Sequence, residues 1–136
     1  MAALSGITAV RPTSATNTEK VIYGATIAVG VPVYVDSADG EHKIGDANAS
    51  AITANCVGIT MTPGVDAGYG IIAKSGPIIL VGTTMVVGTN YYVGPTPGEI
   101  IPEGDLTTGD RVTRLGTASS ATQLDLSIVA TGIVRA

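Results

Sequence analysis

Two stretches of this chain, 58 positions apart, are copies of each other. Thr26-Ile27-Ala28-Val29-Gly30-Val31-Pro32-Val33-Tyr34-Val35 aligns without a gap on Thr84-Met85-Val86-Val87-Gly88-Thr89-Asn90-Tyr91-Tyr92-Val93. Each runs on into a turn closed by Gly-Glu, at Gly40-Glu41 and at Gly98-Glu99. Seven of the twenty positions from Ala25 to Ile44 are identical to their counterparts, more than a Gly- and Val-rich composition gives by chance. The register holds at Val57-Gly58 against Leu115-Gly116. After a two-residue contraction it is expected to resume with Ile72 to Gly76 against Ile128 to Gly132. A duplicated unit of this size constrains packing before chemistry, because neither half is long enough to bury a large core alone.

The repeated segments have the period of a strand. Val31, Val33 and Val35 alternate with Pro32, Tyr34 and Asp36, and Leu124, Leu126 and Ile128 alternate with Asp125 and Ser127. Asp36-Ser37-Ala38-Asp39-Gly40 supplies turn chemistry in one copy, and Gly94-Pro95-Thr96-Pro97-Gly98 supplies it in the other. Cys56 to Met61 and Arg111 to Ala118 read as strands centred on a glycine, a position that marks a bulge or a close backbone approach. One short helical turn is expected over Asn48 to Ala54, with Asp46 as its cap. The pattern predicts an all-β fold of ten to twelve strands, either a small β-barrel or a β-sandwich, built from two pseudo-repeated units. Residues 1–18 fall outside both copies and are expected to form an extended N-terminal arm with a short strand around Gly6 to Val10. The remainder, 19–136, is expected to form one domain of two units, about 19–80 and 81–136.

With neither Phe nor Trp among the 136 residues, Val, Ile, Leu and Ala must fill the interior. Charged residues make up 13 %, about half the share in an average soluble domain. Such a surface fits a subunit that covers part of itself with neighbours. The net charge of -4 and the scattered basic residues argue against nucleic acid as a partner. No apolar run is long enough to span a bilayer as a helix, and the start Met-Ala-Ala-Leu-Ser lacks a secretory pattern, so no membrane partner and synthesis in a cytoplasm are expected. A single cysteine, Cys56, excludes an internal disulfide.

The residues that could carry chemistry are few. His42 and Cys56 are the only histidine and cysteine, and the repeat replaces them with Ile100 and Arg114. An exposed turn histidine and a buried structural thiol are expected rather than a nucleophile and base. Asp36, Asp39 and Glu41 resemble part of a calcium loop, but their spacing is not that of an EF-hand and only Glu99 is repeated. Gly104-Asp105 and Gly109-Asp110 read as acidic turns. The glycines of Pro63-Gly64-Val65-Asp66-Ala67-Gly68-Tyr69-Gly70 precede another strand, so they read as a chain reversal and not as a phosphate cradle. No catalytic, cofactor-binding or metal-ligating residue is therefore expected. Tyr34, Tyr91 and Tyr92, with Arg11 on the arm, are the candidate interface residues.

Taken in order, Val29-Gly30 to Tyr34-Val35, Gly40-Glu41, Val57-Gly58-Ile59 and Lys74-Ser75-Gly76 form a phrase. It returns as Val87-Gly88 to Tyr92-Val93, Gly98-Glu99, Leu115-Gly116 and Thr131-Gly132. This pattern resembles the small capsid cement, or head decoration, proteins of tailed bacteriophages, over nearly everything after about residue 20. The resemblance implies a non-enzymatic, cofactor-free structural protein on the outer face of the virion capsid, made in the host cytoplasm. It would bind the major capsid protein as a homotrimer, or as a dimer, and clamp neighbouring subunits. An arm ordered by its partner belongs to that expectation, so a chain lacking residues 1–18 should fold and bind shells poorly. The alternative from another class is a tail fibre or spike module, or a carbohydrate-binding β-domain.

Overall fold

The computed structural model describes residues 3–135. In chain order the elements are β1 (Ala9–Pro12), β2 (Asn17–Ile22), β3 (Pro32–Val35), β4 (His42–Ile44), α1 (Ala51–Ala54), β5 (Cys56–Thr60), β6 (Tyr69–Val81), β7 (Asn90–Val93), β8 (Ile100–Pro102), a 3-10 turn (Glu103–Asp105), β9 (Arg111–Ala118) and β10 (Gln123–Val134). The protein is all-β. Its strands form one curled antiparallel sheet, a half-barrel, in the order β4-β3-β5-β6-β10-β9-β7-β8, with β1 and β2 both paired to β6.

That order reads the same from either end once the two units are overlaid. Val33 pairs with Ile44 on one side and Gly58 on the other, and Tyr91, 58 positions on, pairs with Pro102 and Gly116. Even the irregularity is copied. Tyr34 pairs with Cys56 and Tyr92 with Arg114, so Val57 and Leu115 are the extra residues of matching bulges. The turn glycines also repeat their backbone, with Gly30 and Gly88 at φ 78° and 83°, and Gly40 and Gly98 at φ 73° and 79°.

The last part of the sequence alignment is corrected by the ladder. Thr60 pairs with Ile72 and its counterpart Ala118 pairs with Leu124, so Ile72 corresponds to Leu124 and not to Ile128. The offset has fallen from 58 to 52 because the eleven residues 61–71 between the paired Thr60 and Ile72 are matched by only five, 119–123, between Ala118 and Leu124. In the corrected alignment Ser75 corresponds to Ser127, and these two residues face each other in the β6–β10 ladder. A local two-fold axis therefore passes between them. Around it Ile59, Ile78 and Leu80 of the first unit and Tyr91, Leu115, Leu124 and Leu126 of the second form one shared core.

The described residues 3–18 do not form a separate arm. Ala9 to Pro12 pair with Val81 to Ile78, Val10 lies in the shared core, and the Leu4 amide donates to the Ile100 carbonyl. The turn before β2 is pinned to the sheet, since the Thr13 and Thr16 hydroxyls both donate to the Pro77 carbonyl, at 3.1 and 2.6 Å. Met1 and Ala2 lie outside the described residues. The helical segment is also shorter than the sequence predicts. Ser50, not Asp46, caps it, in a reciprocal box with Thr53, while the Asp46 carboxylate accepts the Asn48 amide in a turn of its own.

Each bulge brings a neighbouring carbonyl against a glycine. A Cβ on Gly58 would lie 2.7 Å from the Ala73 carbonyl oxygen, and one on Gly116 would collide with that of Asp125. Gly104 has open space instead. Gly58→Ala and Gly116→Ala should each destabilise the fold by about 1–3 kcal/mol, the usual cost of overpacking, whereas Gly104→Ala should change it little. Urea unfolding of the three variants checks this, and equal stabilities would refute the assigned register.

Candidate interaction surface

The four residues singled out as an interface do not come together. Arg11 is exposed and Tyr34 half-buried, but Tyr91 and Tyr92 are only 2 % and 8 % exposed. The phase of β7 turns Tyr91 into the shared core beside Gly116, where its hydroxyl accepts the Val86 amide at 3.0 Å. Tyr92 packs with Ile101 and Leu106 in a smaller cluster under the 3-10 turn, and burial raises its hydroxyl pKa, with Glu103 adding to the effect. Both are core residues, doing the work that Phe does in other proteins.

Tyr23 explains the glycine-rich loop. It is completely buried, and a Cβ on Gly64 or Gly70 would strike its ring. Its hydroxyl donates to the Thr62 carbonyl at 2.7 Å. Gly64 and Gly70 thus make room for an aromatic ring more than forty residues earlier, a relation invisible to local pattern.

The aromatic side chain that does face solvent is Tyr69, 66 % exposed at the start of β6. The β2–β6 ladder sets it opposite Ile22 and places Lys20 opposite Ile71, so all four side chains share one face. The Lys20 ammonium stands 4.5 Å from the Tyr69 ring centroid, a cation–π contact. Beside it runs a groove of about 420 Å³ lined by Glu19, Asp39, Glu41 and His42. The repeat offered no signal for Tyr69, because it lies before the matched part of β6.

The acidic hairpin above this groove already holds a cation, the ammonium of Lys43. It lies 2.6 Å from the Asp36 carboxylate and 3.1 Å from that of Asp39, so a side chain fills the place a calcium ion would take. The remaining carboxylate oxygens accept the Ala38 and Glu41 amides, each at 2.9 Å. In the second acidic stretch the buried Asp110 accepts the Thr107 amide and hydroxyl, closing its own turn.

His42 is buried at 8 % exposure, against the expectation of an exposed turn residue. The cause is the parallel bridge between His42 and the fully buried Tyr23. Burial lowers the imidazole pKa below its ordinary value. Cys56 sits on β5, on the opposite side of β3 from His42, with its thiol packed on Gly45. The two therefore do not form a dyad.

Further apolar side chains are left in solvent elsewhere. Ile52 on α1, Val65 in the glycine loop, Val87 before β7 and Ile133 near the end of β10 are each more than half exposed. Comparison of the sequence with protein-family models finds no match, and comparison with curated proteins finds none either.

Two predictions test these assignments. The hydrogen bond from Lys43, and then that from the Ala38 amide, lowers the Asp36 pKa. Its contribution to hairpin stability is present above the ordinary aspartate range and is lost as pH falls through the lowered value. Titration of the Asp36 carboxyl by NMR should show the depressed value in the native chain and its return toward 3.8 in Lys43→Met. Burial pushes the Cys56 thiol up from 9.0 to about 12. A thiol-selective reagent at pH 8 should therefore leave the folded protein unlabelled and react only after unfolding. Since the unfolded thiol ionises first, stability should fall as pH rises past about 9. Labelling at the rate of a free thiol would show that Cys56 is accessible.

Proposed function

We propose that this protein is a non-catalytic structural subunit, a cement or decoration protein that binds the outside of a tailed-phage head as a small homo-oligomer and stabilises the shell. The observation that carries this reading is the kind of surface the fold displays. Large apolar side chains stand in solvent at loop tips and strand ends, on a chain with few charges to keep such positions wet. A duplicated scaffold supports it as well, because the two units retain turn glycines and the Tyr-Val strand pair while replacing His42, Cys56 and Asp39 with Ile100, Arg114 and Pro97. Contacts of this type give shape complementarity and many modest apolar burials, which is how a clamp spreads load over several neighbours. The resemblance to phage cement proteins over the repeated phrase points the same way.

One observation favours a second reading. Tyr69 stands exposed beside a groove carrying Glu19, Asp39 and Glu41, an aromatic face flanked by hydrogen-bond acceptors of the kind that holds a sugar ring. The two readings separate cleanly. Mixed with undecorated phage heads, the protein should co-sediment, add knobs visible by negative stain, and raise the temperature at which the heads release DNA. The double variant Val65→Asp/Val87→Asp should fold normally and lose that binding by at least tenfold, on the order expected when a charge is forced into an apolar contact. Glycan-array binding without head binding, abolished by Tyr69→Ala, would instead establish the carbohydrate module.

A further inference from the structure

The repeat puts unlike chemistry at one pair of matched positions. At the offset of 58 the segment Ala51 to Asn55, which carries α1, corresponds to 109–113, and Thr53 corresponds to Arg111. Thr53 is spent on scaffolding, since its hydroxyl donates to the Asp46 carbonyl at 2.9 Å and accepts the Ser50 amide at 3.1 Å. Arg111 is not spent. Among the described residues its guanidinium makes no ion pair and no hydrogen bond, and its Nε is shut off from solvent without a partner. Lys43 and Lys74 have carboxylates and Lys20 has the Tyr69 ring, whereas Arg111 is a half-buried cation with no counter-charge. Withdrawing a cation from water costs free energy unless an opposite charge is brought to it.

The two matched segments meet at a cavity of about 250 Å³. Arg111 and Thr113 of β9 form one wall, and Ala51, Ala54 and Asn55 form another. The walls are tied together, because the buried Thr113 hydroxyl donates to the Ala54 carbonyl. The third wall is β10, where Ala130 pairs with Thr113 and Val134 with Arg111. β10 takes four steps between those pairs where β9 takes two, so it bows away around Gly132, at φ 70°. The bowed segment brings only the Ala130 methyl and a glycine to the cavity, which leaves the space unfilled. Arg114, whose Nε is also covered and unpartnered, points to the opposite face of β9 and acts on Tyr92 instead.

We propose that this cavity binds a carboxylate carried on a short aliphatic stem, with Arg111 as its counter-ion. The planar guanidinium matches the two oxygens of a carboxylate, a geometry in which both partners gain charge-assisted hydrogen bonds. Asn55, exposed at the rim, adds an amide donor. The methyl groups of Ala51, Ala54 and Ala130 leave room for an apolar stem of two or three carbons and have nothing polar to offer it. Arginine is the one cation in the lining, and the chain carries a net charge of -4, so a single negative charge is favoured over the double charge of a phosphate. A small free acid and the end of a glutamate side chain share this chemistry. Neither shell binding nor glycan binding is needed for the site to exist.

The test is an NMR titration of the full chain with sodium propionate at constant ionic strength, read at the Arg111 Nε–H and at the methyls of Ala51, Ala54 and Ala130. Saturable shifts confined to these groups are expected, with a dissociation constant on the order of 1–10 mM, and propionamide should produce none. Arg111→Gln removes the charge, and Ala130→Leu fills the cavity while leaving the charge in place. Each should weaken propionate binding on the order of tenfold or more, with the remaining amide signals at their native positions. N-acetyl-glutamate N-methylamide separates the two sources of the carboxylate: binding comparable to propionate assigns the site to an acidic side chain of a partner, and exclusion assigns it to a small free acid. Absence of saturation by about 100 mM, tighter binding of inorganic phosphate, or propionate binding unchanged in both variants would overturn the proposal.

Discussion

The antiparallel contact between β6 and β10 is the interaction on which the rest of the structure depends. It joins two units that each present an aliphatic face too small to bury by itself, and it does so at the one place where a residue faces its own counterpart, Ser75 against Ser127. Shifting that ladder by one residue would turn Leu124, Leu126 and Ile78 to the opposite face of the sheet and open the shared core. The bulges at Val57 and Leu115 sit next to it, and by twisting β5 and β9 they curl the sheet enough for the two halves to close on the same interior. Glycine at Gly58 and Gly116 is the steric condition for both.

Much of this was legible in the sequence because a repeat is a comparison the chain makes with itself. The offset of 58 aligned β3 with β7, β4 with β8 and β5 with β9, and the structure preserves those equivalences down to single residue pairs. It failed at β6 and β10, where glycines at Gly76 and Gly132 invited a match that hydrogen bonding does not support. Both have positive φ, 91° and 70°, so the resemblance reflects a shared need for a bend and not a shared place in the ladder. Burial was legible only in part. Alternation gives the two faces of a strand without saying which is inward, and Tyr91 and Tyr92 are adjacent, so both being buried requires two separate clusters, one on each face. Tyr23 and Tyr69 carry no local signal at all. One is enclosed by glycines distant in sequence, and the other is exposed because β2 pairs beside it.

The candidate surface follows from the composition through the same logic. Without Phe or Trp the protein uses tyrosine as core filler, and each buried hydroxyl must then find a partner. Tyr23 donates to the Thr62 carbonyl and Tyr91 accepts the Val86 amide. With four of the five tyrosines wholly or partly withdrawn in this way, Tyr69 is left as the exposed aromatic. Polar side chains are similarly absorbed by the scaffold, with Asp36 and Asp39 on Lys43, Asp110 on Thr107, and Thr13 and Thr16 on Pro77. Groups that in another fold would assemble a reactive site here close turns.

What separates the two halves of the molecule is therefore not the duplicated part but the segment that precedes it. A chain of two units alone would pair β6 and β10 along their whole length and leave a symmetric object with equivalent edges. Residues before the repeat break that symmetry by inserting β2 against β6, where Val21 joins Tyr23, Ile27, Val33 and Ile72 in a cluster that the second unit does not have. The burial gained there is local to the first unit, and its consequence appears in the second, where β10 loses half of its ladder and projects with apolar residues on both faces. The N-terminal residues thus complete one core and, in the same step, leave the outer half of β10 paired to β9 alone.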